Sequence, residues 1–145
     1  MKIKDFYQKK AATQLCFVKN TSSVEDVYKT LMKNKEPQIV YVLNPKKKLV
    51  GFIDIKTLLN LYGAQFSSGP IDTLTQFSKL LAHKASDLMN SPIYVRLDND
   101  IKVAVKAMEE SSLYEIPIVN SENKVIGKVT CHQLLGVLKE NQKKN

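Results

Sequence analysis

Ile116-Pro117-Ile118-Val119-Asn120-Ser121-Glu122-Asn123-Lys124-Val125-Ile126-Gly127-Lys128-Val129-Thr130 is the stretch that decides how this chain is read. Two short apolar runs flank Asn120-Ser121-Glu122-Asn123, a segment of turn-forming residues, so the stretch reads as a β-hairpin. An earlier stretch repeats it: Ile39 to Leu43, the turn Asn44-Pro45-Lys46-Lys47, and Leu49-Val50-Gly51-Phe52-Ile53. Gly51 and Gly127 match at an offset of 76 residues, as do Leu58-Leu59 and Leu134-Leu135 beyond them. Ahead of the first hairpin, Val24, Val27, Tyr28 and Leu31 fall on one helical face. Ile101, Ala104, Val105 and Met108 repeat that spacing 77 residues later, so one residue is expected to be lost at the hairpin turn. Ser22 with Glu25 predicts a capping box for the first helix, and Asp98 or Asn99 a cap for the second.

Each half therefore reads strand, helix, strand, strand, helix. The expected fold class is α/β (α+β), with two β-α-β-β-α repeats forming small mixed sheets flanked by helices. Residues 1–61 make the first repeat and 85–139 the second. Between them, 62–84 read as a linker with breakers at Gly63 and Ser67-Ser68-Gly69-Pro70, then a helix marked by Leu74, Phe77 and Leu81. Residues 140–145 form a polar tail expected to fray.

Composition bounds the function. A chain of 145 residues with 43% hydrophobic and 25% charged residues can build a real core, which excludes global disorder. No apolar run has the length of a membrane span, and Met1 is followed by Lys2, Lys4 and Asp5 instead of an apolar leader, so no membrane insertion is expected. Two cysteines, Cys16 and Cys131, cannot frame a disulfide scaffold, which points to a reducing cytoplasm. The net charge of +8 is uneven: up to Leu61 there are 12 lysines and 5 acids, and from Tyr62 onward 10 basic and 9 acidic residues. Arg96 is the only arginine, and arginine is the side chain that grips bases and phosphates bidentately. The surplus reads as a solvated lysine face that attracts anions, not as a nucleic-acid site.

The order of these elements resembles the tandem cystathionine-β-synthase (CBS) domain pair, or Bateman module. The second repeat carries the likeness best, through Ala85-Ser86-Asp87-Leu88-Met89, Ile93-Tyr94-Val95, Ile116-Pro117-Ile118-Val119 and Gly127-Lys128-Val129-Thr130. The first is more degenerate, opening on Ile3-Lys4-Asp5-Phe6, with Val40 standing where the second repeat has Pro117. The resemblance implies two repeats packed about a pseudo-twofold axis, with clefts that bind adenosine compounds: AMP, ADP, ATP or S-adenosylmethionine. It also implies a homodimer made through helices, and a regulatory role, without catalysis, on an unknown regulated protein.

The family's ligand signature is a Ser or Thr followed three residues later by Asp, where the last helix of a repeat begins. A hydroxyl and first-turn amides suit phosphate, and a carboxylate suits the ribose diol. Thr130 fills the hydroxyl position of the second repeat, but Gln133 stands where Asp is expected. In the first repeat the two positions hold Asp54 and Thr57, and Asp54 would repel an anion. Both Asp54 and Thr130 are also good helix caps, and for Thr130 capping and ligand contact can coexist. Val95, Ile116 and Pro117 stand where the family sandwiches adenine, and are equally at home as core strand residues. Tyr94 and Tyr114 offer rings for stacking, and Arg96 and Lys128 offer charges for phosphate.

Other chemistry finds less support. Cys131-His132 has no second pair at metal-ligand spacing, and His83 lies on the expected linker helix away from any nucleophile. No phosphate-binding glycine loop or dinucleotide fingerprint is present. The alternatives to ligand sensing are a structural or protein-interaction pair with degenerate sites, and the cytoplasmic regulatory part of a transporter or enzyme.

Overall fold

Buried apolar runs set the two hairpins, and amphipathic helices cover them. The computed structural model describes residues 1–7, 15–33, 39–66 and 83–143. The linker helix expected around Leu74, Phe77 and Leu81 lies outside the described residues. The chain divides into two compact units, Leu15–Pro92 and the pair of segments Met1–Gln14 with Ile93–Asn145.

In the unit Leu15–Pro92, β1 (Phe17–Lys19) runs parallel to β2 (Ile39–Leu43), which pairs antiparallel with β3 (Leu49–Asp54). Helices α1 (Val24–Lys33) and α2 (Ile55–Gly63) accompany the sheet, and α3 (Ala85–Leu88) is a single turn. Val24, Val27 and Leu31 on α1 join Val40, Val42 and Ile53 in one buried cluster. Their spacings are the 3.6 and 2.0 periods read from the sequence.

In the other unit, α4 (Ile101–Ser111) precedes the antiparallel pair β4 (Glu115–Val119) and β5 (Val125–Thr130), and α5 (Cys131–Lys143) follows. The strand expected at Ile93-Tyr94-Val95 shrinks to one parallel bridge between Val95 and Ile118. Two backbone bonds hold it, from Val95 N to Pro117 O at 3.0 Å and from Val119 N to Val95 O at 2.9 Å. The final helix extends through Lys143.

The opening turns exchange places. Ala85 N donates to Ser22 O at 2.7 Å and Ser86 N to Asn20 O at 3.0 Å, so the second repeat's opening turn sits in the first repeat's unit. Reciprocally, Ile3 N donates to Asn99 O at 2.9 Å and Lys4 N to Leu97 O at 2.8 Å. The aligned glycines follow from this exchange. A Cβ on Gly51 would stand 2.6 Å from Met89 Sδ and 2.7 Å from Asn90 O. A Cβ on Gly127 would run into the ring of Tyr7, whose hydroxyl donates to Ile126 O. Each glycine lies where the other repeat's opening segment crowds its strand: beside Gly51 the obstacle includes the Asn90 backbone, and beside Gly127 it is the Tyr7 side chain.

Three local expectations shift by one residue. The box on α1 is Ser23 with Asp26, Asp26 N donating to Ser23 Oγ at 3.1 Å and Ser23 N to Asp26 Oδ2 at 3.4 Å. Ser22 is otherwise engaged: its carbonyl takes Ala85 N, and its hydroxyl oxygen accepts Lys19 N at 3.0 Å. Asp100, rather than Asp98 or Asn99, caps α4 by accepting Lys102 N at 2.9 Å, because Asn99 Oδ1 is held by Arg96 N. Finally, Ile39 opposes Asp54 as Glu115 opposes Thr130, so the offset is already 76 at the start of β2. The residue is lost before the hairpin, not at its turn. The counterpart of Pro117 is therefore Tyr41 rather than Val40, which matches Ile116 instead.

Candidate functional site

The two strand-to-helix junctions place the predicted residues at matching positions with different chemistry. At the start of α2, Asp54 Oδ1 accepts Thr57 N at 2.8 Å and the Thr57 hydroxyl at 2.7 Å. That bond uses the hydroxyl proton of Thr57, and the junction presents a carboxylate with lone pairs and no free donor hydroxyl. At the start of α5, Gln133 N donates to Thr130 Oγ1 at 3.1 Å and Thr130 N donates to Gln133 Oε1 at 3.0 Å. This is a reciprocal capping box. Both oxygens act as acceptors within it, so the Thr130 O–H and the Gln133 amide N–H groups can serve as donors. The junction is uncharged and stands at the positive end of a helix of 13 residues.

Gln133 also lines a hollow of about 370 Å³, together with Phe6, His132, Gly136, Val137 and Glu140. Among the described residues, and apart from the helix's own backbone, no atom comes within 4 Å of where a Gly136 side chain would begin. Phe6 arrives through the exchange of opening turns. Nothing in the sequence places it beside a helix that begins at residue 131.

The remaining predicted residues separate by face. In β5, Lys128 and Thr130 share one side of the hairpin with Pro117 and Glu115 of β4, and Ile116 lies on the other with Val129. Val95 is 1% exposed and Ile116 fully buried, with Pro117 buried beside them. Val95 and Pro117 meet through the bridge bond. Tyr94 is exposed, and the Arg96 guanidinium lies 5.6 Å from its ring centroid. Arg96 itself is engaged in the hairpin turn, donating to Asn120 O at 2.5 Å and Asn123 Oδ1 at 2.9 Å. Tyr114 is exposed, and Val40 is fully buried opposite Ile53.

Lys128 is not solvated. Its Nζ lies 3.3 Å from Glu115 Oε2, and the two side chains are only 11% and 12% exposed. Cys131 packs its Sγ 3.3 Å from Met108 Sδ, while His132 is exposed. Among the described residues no three His, Cys, Asp or Glu side chains gather as a metal site. Nor is any described helix long and apolar enough to cross a membrane.

With the tandem fold and its helix-start junctions in view, comparison with known proteins defines the class. The CBS domain family matches residues 4–64 and 85–140. The chain belongs to the CBS domain family and carries two copies of the domain in tandem. Similar solved structures share the fold over nearly the whole chain. CBSX2 in complex with AMP has a TM-score of 0.73 at 23% identity, covering 97% of this chain and 98% of that one. A CBS domain-containing protein from Thermotoga maritima has a TM-score of 0.74 at 24% identity, covering 97% and 95%. A CBS domain protein from Pyrobaculum aerophilum complexed with AMP has a TM-score of 0.68 at 16% identity, covering 92% and 89%. A search of curated proteins found no significant match.

Proposed function

We propose that this chain is a regulatory, non-catalytic module that binds an adenosine-containing ligand at the start of α5 and modulates a partner protein. The observation that carries this reading is the pair of donors at an uncharged helix start, the Thr130 hydroxyl and the Gln133 amide, beside an open hollow. A helix N-terminus favours anions, and added donors favour phosphate or ribose oxygens. Two similar structures carry AMP, which makes adenine nucleotides the first class to test. Pro117 shares the face of Thr130 and is the best placed of the adenine candidates, with Val95 bridged to it. Ile116, on the opposite face, is assigned to the core. Asp54, Thr57 and Val40 are assigned structural roles, because the first two satisfy each other and the third is buried.

The ligand acts by population shift, since it favours whichever arrangement of the chain presents those donors. Leu59 and Leu135, at matching positions on α2 and α5, are 69% and 70% exposed, which suits helices that pair with a second copy in a homodimer. Cys16 and Cys131, the chain's two cysteines, are not joined in a disulfide, which suits a reducing cytoplasm.

A thermal-shift panel tests the reading with AMP, ADP, ATP, S-adenosylmethionine, a guanine nucleotide and inorganic phosphate at fixed salt. A ligand present at a hundredfold over its Kd adds about 2.7 kcal/mol to stability. Stabilisation confined to adenosine compounds is the expected result. A flat panel would sink the proposal and favour a protein-interaction pair with degenerate sites.

A further inference from the structure

The first repeat gathers lysines where the second has paired or opposite charges. Val18 bridges Val42 as Val95 bridges Ile118, so Lys19 and Arg96 are counterparts. The offset of 77 along the first helices sets Lys33 against Glu110, and that of 76 along the hairpins sets Lys46 against Glu122. In the second repeat these positions are engaged: Arg96 donates into its hairpin turn, Glu110 lies 3.9 Å from Lys106, and Glu122 lies 3.4 Å from Lys124. In the first, Lys19, Lys33, Lys46, Lys47 and Lys48 form no ion pair among the described residues. The same repeat thus folds with and without this charge pattern, and a cluster of like charges repels itself. The fold does not require these lysines.

Their placement is concentrated. A hollow of about 510 Å³ lies between β1 and α1, lined by Lys19, Lys29 and Lys33 with Phe17 among them. Strand β1 is an edge of its sheet, and Phe17 is 39% exposed. Lys19 ends β1 beside the lysine turn, since Asn20 N donates at 2.9 Å to the carbonyl of Leu43, the residue before Asn44-Pro45-Lys46-Lys47-Lys48. Of the neighbouring carboxylates, Asp26 accepts Ser23 N, and Glu25 lies 3.6 Å from Lys29 in an exposed pair that is easily exchanged. We infer that this groove docks an acidic, extended segment of a partner protein. Charge complementarity selects an anionic occupant, and a groove bounded by one strand and one helix suits a single extended chain. The chain's only arginine, the side chain that grips phosphates bidentately, lies in the other unit, whereas lysines suit carboxylates as point charges. Phe17 adds an apolar contact for a side chain of the segment. The docking surface goes beyond the ligand reading and stands whether or not a nucleotide binds.

Fluorescence anisotropy without nucleotide tests the assignment, using labelled decaglutamate, decaglutamine and decathymidylate at low salt. The wild-type chain should bind decaglutamate and not decaglutamine, and should lose affinity as salt rises. Lys33→Glu with Lys46→Glu copies the second repeat's residues. It should keep a wild-type-like Tm and weaken decaglutamate binding by about tenfold. Lys139→Glu with Lys143→Glu changes the net charge equally at exposed positions of α5 and should leave binding within about twofold of the wild type. If the first variant melts lower, Lys19→Gln with Lys48→Gln reads the same groove without new negative charges and should cost about threefold. Equal losses in the two reversal variants would reduce the groove to a solvated lysine face and overturn the assignment. Decathymidylate bound more tightly than decaglutamate, and lost in the same variant, would overturn it in favour of nucleic acid. A wild type that does not bind decaglutamate overturns it outright, whatever the nucleotide panel shows.

Discussion

The start of α2 and the start of α5 are the same backbone device carrying opposite chemistry. Both follow the second strand of a hairpin at a matching register, and both are closed by a side chain three residues on. In the first repeat the closing bonds consume the only hydroxyl proton and leave a carboxylate. In the second they leave donors and no charge. The difference teaches that the fold requires a cap at this position but not a particular cap. The two repeats can therefore carry different side-chain chemistry at the same place on one scaffold. The hairpins show the same asymmetry, with Ile39 and Phe52 in one and Glu115 and Lys128 in the other.

Breaking the shared scaffold should produce the largest effects, and unequal ones. Gly51→Ala places its methyl against the Asn90 carbonyl as well as Met89, and backbone cannot swing aside. It should destabilise by about 3 kcal/mol, whereas Gly127→Ala displaces only the far end of Tyr7 and should cost about 1 kcal/mol. Denaturant unfolding of both variants checks the order, and equal losses would refute the account of the crossing segments.

The functional asymmetry is sharpened by a pair of cap variants. Thr130→Val should weaken binding of the best adenosine ligand by about tenfold, one hydrogen bond's worth where the acceptor is charged. Asp54→Ala should leave that affinity unchanged while lowering stability by about 1 kcal/mol through loss of a helix cap. Titration calorimetry on both, with Tm measured alongside, would reverse the assignment if the first-repeat variant proved the sensitive one.

A smaller effect is expected where the turns differ. Asn44 and Asn120 each hold their hairpin turn by accepting two backbone N–H groups, but only the second turn is also gripped by Arg96. Arg96→Ala should cost about 1 kcal/mol, the net value of an ordinary hydrogen bond. A chemical melt in which Arg96→Ala matches the wild type would show the grip to be dispensable. Smallest is the acid response of the α4 cap. The Lys102 backbone N–H bonded to Asp100 holds its carboxyl below the usual range. The cap's contribution is therefore present above the ordinary carboxylate pKa and fades as pH falls through the lowered one. Asp100→Asn should flatten that part of the Tm-versus-pH curve, and an unchanged slope would remove Asp100 from the acid limb.

Much of this was legible in the residues. The periods of Val24, Val27 and Leu31 and of the two hairpins marked helices and strands, because burial on one face imposes those spacings whatever the neighbours. The duplication gave the fold class, and the Thr130 and Gln133 junction was visible as a motif. Less legible were the cap positions, since the Ser22 and Asn99 side chains accept from Lys19 N and Arg96 N, three residues before each, while their carbonyls take Ala85 N and Ile3 N, more than 60 positions distant. The register slip that gave Val40 the place of Tyr41 was hidden too, because strand pairing, not residue similarity, settles an offset of one.

By itself the sequence determined that two similar β-α-β-β-α units would form, and where each final helix would begin. Only the tertiary structure decided that each opening turn is bound into the other repeat's unit, that the two glycines are there to let it pass, and that Phe6 reaches α5. It alone paired Lys128 with Glu115 and took Arg96 out of contention for phosphate. The physical reason is that periodicity and caps are local energies, summed over a few neighbouring residues. Which charge meets which carboxylate depends instead on strand register and on chain crossings, and those are fixed only when the whole core closes.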